Sequence, residues 1–507
     1  MALTPRIKSA IFFTSGFILF TVSAIVYTIY NHKTHYQYGV LIDSGNPNIT
    51  ISLYRWPVDR YNKTGLAELA ETCISNDLTE YLANSSDLSP VFQPCLSRVI
   101  GSLDNDEPTS TSSASQLFFT VSGPLFLLNM TSHQEVSSLV DSVSAYLSNN
   151  TKLNVQPVTF IGDENGAIYP WIAVNSLEAR THSESIGSPK HSGVIEISYT
   201  ESSISLEVKN KSLIPSEQVN SLVDISLFGK NHSLYGKKYS CFGSDKGRLR
   251  YITELIVDSR ESTLGDPCLP IGVNQTINTQ DLIQMRDPCL HTSKSMELNK
   301  EYTLMGKGDG QTCSKMISDL LDKSKCEDNP ATCYKSPSIA PDDVVYTAVA
   351  DLLYPVTVLK LPANHSIDEN DYFNQSISLC GMSRDDLLIT SGGKLAPTSL
   401  CFQLLYNYHI IQDVFGLKGN WSKIVFDPSL RGDSTINWST GFMINATSSI
   451  PNLTAPKHWI STICCIVLIT IAAAYLVCGF YFLIASLRAQ RVPNKEIYQP
   501  IQQQPQP

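Results

Sequence analysis

The pattern of apolar and polar residues predicts a hairpin near the start of the long polar region of the chain. Residues 40–42 form an apolar run, Asp43 and Gly45 follow it, and apolar residues then alternate with polar ones as far as Leu53. Alternation with a period of two is typical of a strand with one buried face, and Asp and Gly favour tight turns. The pattern therefore predicts a β-hairpin over residues 38–57, with a turn whose backbone N–H groups can face an anion.

The same periodicities predict a mixture of strands and helices further along. Short apolar or alternating runs predict strands, whereas apolar residues at helical spacing predict helices. The predicted strands are residues 117–121, 158–161, 194–197, 204–208 and 300–305, and residues 426–445 are predicted to be strand and turn. The predicted helices lie within 64–98 and at 136–147, 171–177, 311–321, 344–353 and 399–409, and polar residues 104–116 and 179–192 predict a loop and a linker. Because strands alternate with helices, we expect a mixed α/β architecture.

Two apolar segments bracket the polar region. Residues 10–30 and 459–487 are each long enough to cross the hydrocarbon core of a bilayer, which takes about 20 helical residues. Basic residues precede the first segment and follow the second, so both termini are predicted to be cytoplasmic. A signal peptide cleaved near Ala24 is the alternative for the first segment, but the apolar run continues beyond that residue, which favours an uncleaved anchor.

Sequons and cysteines both indicate an oxidising, extracellular or luminal compartment for the polar region. All fourteen N-x-Ser/Thr sequons lie between the two apolar segments. The same region holds ten cysteines, an even number suited to disulfides, while Cys464, Cys465 and Cys478 lie inside the second segment. The net charge of -10 and the absence of a Lys/Arg-rich block in the sequence argue against nucleic acid as a partner.

The hairpin turn resembles the first apyrase motif of the ecto-nucleoside triphosphate diphosphohydrolases, membrane-bound enzymes that remove phosphates from extracellular nucleotides. That motif reads Asp-x-Gly-Ser-Ser/Thr-x-Thr/Ser, and its hydroxyls bind phosphate. Asp43 and Gly45 match it, whereas Asn46 and Pro47 stand where hydroxyl residues are expected. Further landmarks occur in the family's order, namely Trp171, the run Cys241-Phe242-Gly243, the turn Asp266-Pro267-Cys268, Trp438 and Gly441.

The resemblance implies an α/β fold of two actin-like (RNase H-like) lobes with a nucleotide cleft between them. The implied order is a cytoplasmic N-terminus (1–9), a transmembrane helix (10–30), the first part of lobe I (31–178), lobe II (179–419), a return to lobe I with a stalk (420–458), a transmembrane helix (459–487) and a cytoplasmic tail (488–507). Spacing alone leaves the disulfide connectivity open. The resemblance implies the pairs Cys73–Cys95, Cys241–Cys289, Cys268–Cys313, Cys326–Cys333 and Cys380–Cys401.

Asn165 stands at the position of the family's catalytic base. The family's third motif, Gly-Gln-Glu-Glu-Gly, corresponds to residues 162–166, which read Gly-Asp-Glu-Asn-Gly. An amide cannot accept a proton at neutral pH, and general-base catalysis contributes roughly 10²–10⁴-fold. The neighbouring Glu164 is the alternative base, although adjacent side chains of an extended turn diverge. The resemblance therefore implies impaired or lost hydrolysis.

The second motif of the family, Gly-x-Thr-Ala-Gly-Met-Arg, corresponds to residues 119–125. This stretch offers Thr120, Ser122 and Gly123 for phosphate, but a valine replaces the Thr of the motif and a leucine replaces its Arg. A hydroxyl and a cation suited to phosphate are therefore absent at those two positions.

The fourth motif, Asp-Leu-Gly-Gly-Ala-Ser-Thr-Gln, corresponds to residues 196–203. Both glycines are lost, and Tyr199 is expected to fill the space where backbone would approach phosphate. Glu201 stands where a Ser should orient the attacking water, and its carboxylate would repel phosphate oxygens. Glu196 keeps acidic character and, with Asp43, is the predicted metal ligand.

The fifth motif keeps Trp438 and Gly441 but has Asn437 in place of the Gly before Trp. Where family members stack the nucleotide base on a Tyr, this chain has Ala350. Trp438 therefore remains a predicted nucleotide-binding residue of an altered site.

Two hypotheses account for these substitutions. The favoured one is a pseudoenzyme, a double-anchored and glycosylated ectodomain that acts by binding at the cleft or on its surface and needs no cofactor. The alternative is an active ectonucleotidase that hydrolyses nucleoside tri- and diphosphates, using Asp43, Glu164 and Glu196 around Ca²⁺ or Mg²⁺. The expected partners are the membrane, extracellular nucleotides and a second copy of the chain through the transmembrane helices. The expected location is the plasma membrane, with the ectodomain extracellular or luminal.

Overall fold

The computed structural model describes most of the chain and divides it into two compact units, one of residues 36–453 and one of the terminal segments 1–35 and 454–507. The described residues are 4–31, 36–46, 48–60, 62–106, 115–162, 164–181, 193–257, 259–284, 287–290, 296–322, 333–334, 338–341, 343–359, 367–390, 398–427, 436–451 and 459–490. Each unit is described by itself below.

The described residues form helices and strands in alternation. The helices are α1 (Pro5–Asn31), α2 (Ser89–Asp106), α3 (Gly123–Thr131), α4 (His133–Asn150), α5 (Glu164–Ala167), α6 (Tyr169–Thr181), α7 (Ser244–Val257), α8 (Thr279–Gln284), α9 (Gly310–Leu320), α10 (Leu353–Leu359), α11 (Glu369–Cys380), α12 (Arg384–Thr390), α13 (Leu400–His409), α14 (Trp438–Thr447) and α15 (Trp459–Gln490). The strands are β1 (Tyr36–Asn46), β2 (Asn48–Pro57), β3 (Glu68–Ile74), β4 (Gln116–Val121), β5 (Asn154–Val155), β6 (Thr159–Phe160), β7 (Gly193–Ile197), β8 (Glu201–Glu207), β9 (Leu222–Leu227), β10 (Lys230–Ser240), β11 (Thr263–Asp266), β12 (Asn274–Asn278), β13 (Glu301–Gly306), β14 (Tyr346–Ala350) and β15 (Ile424–Phe426). The predicted mixed α/β class is confirmed.

The predicted hairpin forms the middle of the first six-stranded sheet. Strands β1 and β2 are antiparallel, with Val40 opposite Leu53, and the sheet runs β3-β2-β1-β4-β5, with β6 also paired to β4. Strand β4 lies parallel to β1 and pairs Thr120 with Asp43. Because parallel strands end at the same sheet edge, this register brings the polar ends of β1 and β4 together.

The second six-stranded sheet runs β15-β14-β7-β8-β10-β9. Strands β7 and β8 form the predicted antiparallel hairpin, and β14 lies parallel to β7 with Ala350 opposite Ile197. Helices α7, α9, α11 and α13 contribute to the core beside this sheet, with Phe402 and Tyr406 among its fully buried residues. Strand β15, which follows the predicted lobe boundary at residue 419, lies in this second sheet. The predicted division into lobes at residues 178 and 419 stays a prediction.

A third sheet, ordered β11-β13-β12, lies beside a group of disulfides. Four of the implied cysteine pairs are present as bridges, namely Cys73–Cys95, Cys241–Cys289, Cys268–Cys313 and Cys380–Cys401. Cys333 is also disulfide-bonded, while Cys326 lies outside the described residues.

Three sequence predictions of secondary structure are wrong over part of their length. Within 64–98, Cys73 lies on strand β3, and only the second part of the segment is helical. Residues 346–350 form β14 instead of a helix, because a strand buried on both faces of a parallel sheet shows the same continuous apolar run as a buried helix. Residues 438–445 lie in helix α14, which begins after Asn437, whose side chain accepts a hydrogen bond from the Thr440 N–H at 2.8 Å.

The terminal unit consists of helices α1 and α15. The stretches 5–25 and 465–489 of these helices are long and apolar enough to cross a membrane, as predicted from the sequence. The two helices pack together through small polar contacts, since the Ser9 hydroxyl donates to the Gly479 carbonyl at 3.0 Å and the Ser23 hydroxyl donates to the Cys465 carbonyl at 3.3 Å. These features fit a membrane protein.

Candidate active site

Asp43 lies at the end of β1 and is held by hydroxyls from the end of β4. The Ser122 hydroxyl donates to Asp43 Oδ1 at 2.6 Å, and the Thr120 hydroxyl lies 3.4 Å from the same oxygen. Thr120 also donates to the Ile42 carbonyl at 3.2 Å. The parallel register of β1 and β4 thus joins three of the predicted site residues in one hydrogen-bonded group.

Ser44 and two glycines complete the junction between β1 and β4. The Ser44 hydroxyl donates to the Thr120 carbonyl and accepts from the Ser122 N–H, at 3.2 Å in both cases. Gly123 has a φ of +52°, and a Cβ built on it would lie 1.9 Å from the Gly45 carbonyl oxygen. In this structure Gly123 is therefore required by the close approach of the Gly45 backbone, whether or not phosphate binds.

Glu196, at the end of β7, is the second carboxylate of the site. It accepts a hydrogen bond from the Ser203 hydroxyl of β8 at 3.2 Å. Asp351, which follows β14, is held beside β7 because its N–H donates to the Ile197 carbonyl at 2.9 Å. The carboxyl ends of parallel strands β7 and β14 thus place two acidic residues together, where ligands of open α/β sheets bind.

Lys238 of β10 joins this acidic group and was not foreseen from the sequence. Its Nζ lies 2.5 Å from Glu201 Oε1 and donates to the Ile161 carbonyl at 3.1 Å. The Lys238 side chain is only 6% exposed and that of Glu201 only 14%. The ion pair therefore compensates the charge of Glu201, which the sequence had suggested would repel phosphate. We name Asp43, Glu196, Glu201 and Asp351 the acidic cluster.

Burial governs the protonation of the two predicted metal ligands. Burial raises the pKa of Asp43 to about 6, with the Ser122 hydrogen bond opposing the rise and the charge of Glu201 adding to it. Burial likewise raises the pKa of Glu196 to about 7, opposed by the charge of Lys238 and assisted by that of Glu201. Both carboxyls feel the charges of Glu201 and Lys238, so Asp43 and Glu196 share one electrostatic site although they come from different sheets.

These shifts predict a stability that falls as pH rises through the values of the two groups. Below about pH 4 Asp43 and Glu196 are protonated in both folded and unfolded chains, so their contribution is fully present. It is lost as pH rises through about 6 for Asp43 and about 7 for Glu196. Each loss is on the order of 3 kcal/mol. Between pH 5 and 8 we expect the melting temperature of wild type to fall more steeply than that of Glu196→Gln, and equal slopes would contradict the expectation.

Asn165 and Glu164 lie on the short helix α5, so the expected extended turn at residues 162–166 is incorrect in its second half. The Asn165 side chain is exposed. The side chain of Glu164 and the whole of Asp163 lie outside the described residues. The α5 segment nevertheless adjoins the site, because a Cβ built on Gly166 would lie 3.3 Å from Lys238 Nζ.

Four further positions singled out in the sequence lie at the ends of helices and strands or in the turn between β7 and β8. The Trp438 ring is edge-on to Phe442, with centroids 6.4 Å apart, at the start of α14. Asn437, which replaces a family glycine, caps that helix. Tyr199 lies in the turn between β7 and β8, where burial raises its pKa to about 12, with Asp245 adding to the rise. Ala350 ends β14 with a φ of +57° and is exposed. The roles of Trp438 and Tyr199 toward a nucleotide stay predictions.

Sequence reasoning missed Lys238, Ser44 and Asp351. A signal for Lys238 existed, because two adjacent lysines within the strand 234–240 must face opposite sides of the sheet. Adjacent lysines are usually solvated, however. Only the pairing of β10 with β8, in which Lys238 lies opposite Ser203, shows that Lys238 is near Glu201. Asp351 was hidden inside the residues that we predicted to be a helix.

The donor set fits a divalent cation poorly. Ca²⁺ takes six to eight oxygen ligands and Mg²⁺ an octahedron of oxygens. Within the described ranges of the chain, groups of three or more His, Cys, Asp or Glu side chains arranged to hold a metal ion are absent. The Asp43 and Glu196 carboxylates each accept from a protein hydroxyl, and the positive charge of Lys238, which is paired with Glu201, acts on both.

The chain belongs to the GDA1/CD39 (nucleoside phosphatase) family, whose model matches residues 29–462. The family predicted from the apyrase motifs is thereby confirmed.

Known relatives resemble the chain over most of its length. The ectonucleoside triphosphate diphosphohydrolase 3 of Mus musculus is 21% identical over 431 residues, which cover 82% of this chain and 79% of the relative. The ectonucleoside triphosphate diphosphohydrolase 8 of Gallus gallus is 24% identical over 458 residues, covering 86% and 89%. The crystal structure of nucleoside triphosphate hydrolases from Neospora caninum matches with a TM-score of 0.50 at 12% identity, covering 76% of this chain and 89% of that one. The structural match supports the fold alone.

Proposed function

We propose that this protein is a membrane-anchored, glycosylated member of its family that has impaired or lost nucleotide hydrolysis and acts by binding. The proposed topology has two transmembrane helices, both termini in the cytoplasm and the ectodomain outside, with the plasma membrane favoured. Several sequon asparagines support the proposed glycosylation, because Asn84, Asn149 and Asn210 are exposed. The proposed partners are the membrane, extracellular nucleotides and a second copy through the transmembrane helices.

The observation that carries this proposal is that the hydroxyl and N–H groups expected to bind phosphate form hydrogen bonds within the protein instead. The Ser122 hydroxyl donates to Asp43, and the Ser44 hydroxyl and the Ser122 N–H bond within the β1–β4 junction. A phosphate oxygen would have to compete with these hydrogen bonds and approach a partly buried carboxyl. The site therefore offers phosphate fewer free donors than its motif positions suggest.

The position of the catalytic base supports the same conclusion. By the family resemblance the base belongs at Asn165, whose exposed amide cannot accept a proton at neutral pH. An active enzyme would need Glu164, Asp43 and Glu196 to act in its place. That alternative, an ectonucleotidase dependent on Ca²⁺ or Mg²⁺, predicts a different result in the same experiment.

The test is phosphate release from ATP and ADP by the detergent-solubilised full chain with Ca²⁺ or Mg²⁺. We expect wild type to release phosphate no faster than the Glu196→Gln variant purified in the same way. Release that is equal in the two preparations comes from contaminating phosphatases. Rapid release that disappears in Glu196→Gln would contradict the proposal and establish the active alternative. Binding is measured separately, since a nucleotide that binds the folded state raises its melting temperature.

A further inference from the structure

Lys238 adds a positive charge to the acidic cluster that contains the two predicted metal ligands. We propose that the Lys238 ammonium performs the charge-neutralising role of a divalent cation, so that the site does not bind free Ca²⁺ or Mg²⁺. The inference deepens the proposed function by naming what compensates the acidic cluster. It concerns cation binding without nucleotide and is therefore tested independently of hydrolysis.

The first argument is the position of the ammonium. Lys238 Nζ is almost completely buried, lies 2.5 Å from Glu201 and donates to the Ile161 carbonyl at 3.1 Å. A buried charge persists only when it is paired and hydrogen-bonded. These two partners lie on different elements, one on β8 and one directly after β6, so the ammonium is held in place from two sides.

The second argument is the electrostatic reach of this charge. The positive charge of Lys238 interacts with the carboxylates of both Asp43 and Glu196. Asp43 belongs to the first sheet and Glu196 to the second, so one ammonium acts on carboxyls of both. A metal ion bound between the strand ends would act on the same two groups.

The third argument is the competition that an incoming cation would meet. A second positive charge near Lys238 is repelled, and the repulsion is stronger in a buried site than in water. One oxygen of Asp43 already accepts from the Ser122 hydroxyl and one oxygen of Glu196 from the Ser203 hydroxyl, which leaves each carboxylate less capacity for a cation. Ca²⁺ takes six to eight oxygen ligands, and within the described residues a group of three or more His, Cys, Asp or Glu side chains arranged to hold a metal ion is absent.

The experiment measures binding of Ca²⁺ and Mg²⁺ to the full chain by isothermal titration calorimetry and by the melting temperature, without nucleotide. Wild type is expected to show no binding heat at the site and the same melting temperature in calcium and in chelator. Lys238→Gln removes the charge but keeps a side chain able to donate to the Ile161 carbonyl. We expect this variant to bind Ca²⁺ at least about tenfold more tightly than wild type.

Lys237→Gln is the matched control, because it removes the same charge from the adjacent residue of β10. Lys237 lies over the Tyr239 ring, with its Nζ 5.3 Å from the ring centroid, so its loss is expected to leave calcium binding unchanged. Calcium binding by wild type, or by Lys237→Gln as tightly as by Lys238→Gln, would overturn the inference. A folded Lys238→Gln that binds no calcium would also overturn it.

Lys238→Met provides a second variant that removes every hydrogen bond of the ammonium. If either variant folds only in the presence of calcium, the cation replaces the ammonium and the inference is supported. If neither folds even in calcium, a cation cannot replace Lys238 and the inference fails. If wild type binds no cation yet hydrolyses ATP, the proposed function fails while this inference stands.

Discussion

Replacing Asp266 by Asn is expected to lower the free energy of unfolding by about 3–5 kcal/mol, the typical cost of breaking a buried ion pair from one side. Asp266 is fully buried and accepts from Arg248 at 2.6 Å, from the Tyr251 hydroxyl at 2.9 Å and from the Cys268 N–H at 2.8 Å. Asn keeps the shape and one acceptor oxygen but leaves the Arg248 guanidinium uncompensated. The residue that the sequence marked as a turn landmark therefore stabilises the unit of residues 36–453 from within.

The measurement is urea unfolding of the solubilised full chain, followed by tryptophan fluorescence. The control is Asp224→Asn, which removes a carboxylate paired with Lys211 at 2.8 Å on the surface, where the two side chains are 67% and 51% exposed. Exposed pairs contribute little, so this variant is expected to unfold like wild type. An equal loss in both variants would show that burial is not the cause.

Replacing Gly123 by Ala is expected to lower the free energy of unfolding by about 3 kcal/mol. The backbone at Gly123 is left-handed, with a φ of +52°, which is unfavourable for a residue with a Cβ. The added methyl would also lie 1.9 Å from the Gly45 carbonyl oxygen, which belongs to the backbone and cannot rotate away. The β1 and β4 ends would have to separate, so the Asp43–Ser122 hydrogen bond would weaken as well.

Gly101→Ala is the control for this substitution, because it adds the same methyl inside helix α2 with open space within 4 Å. Ala is the better helix former, so we expect this variant to gain about 0.5–1 kcal/mol. The two variants are compared in the same urea series. A Gly123→Ala protein as stable as wild type would contradict the strain and the close contact described at the β1–β4 junction.

Local patterns predicted the elements whose own residues show a clear apolar periodicity. The hairpin of β1 and β2 has a tight turn and one regularly alternating strand, and helix α4 has an apolar stripe, so each is specified by its own residues. Strand β14 is different because its sequence shows a nearly continuous apolar run without alternation, a pattern that a buried helix also gives. Strand β3 was missed for another reason, since its edge position leaves it with a partly exposed and polar pattern.

The sequence predicted most residues of the candidate site but not the hydrogen bonds and ion pairs between them. Asp43, Thr120 and Ser122 were expected near phosphate, and the register of β1 with β4 shows that they bond to one another. Glu201 was expected to act as an isolated negative charge, yet it is paired with Lys238. A carboxylate and an ammonium separated by 37 positions cannot be paired by spacing alone, because the strand register between them decides the contact.

The order of residues along the chain was sufficient to predict the two apolar segments and the resemblance to the family, and that resemblance implied the four cysteine pairs that the structure shows. These features depend on local composition, on motif order and on a framework of landmarks that recurs as a set. The protonation and charge pairing of the acidic cluster were decided only by the tertiary structure, which buries carboxyls from two sheets together with one lysine. Burial, hydrogen bonding and charge compensation are properties of that arrangement, so they have no counterpart in any single stretch of sequence.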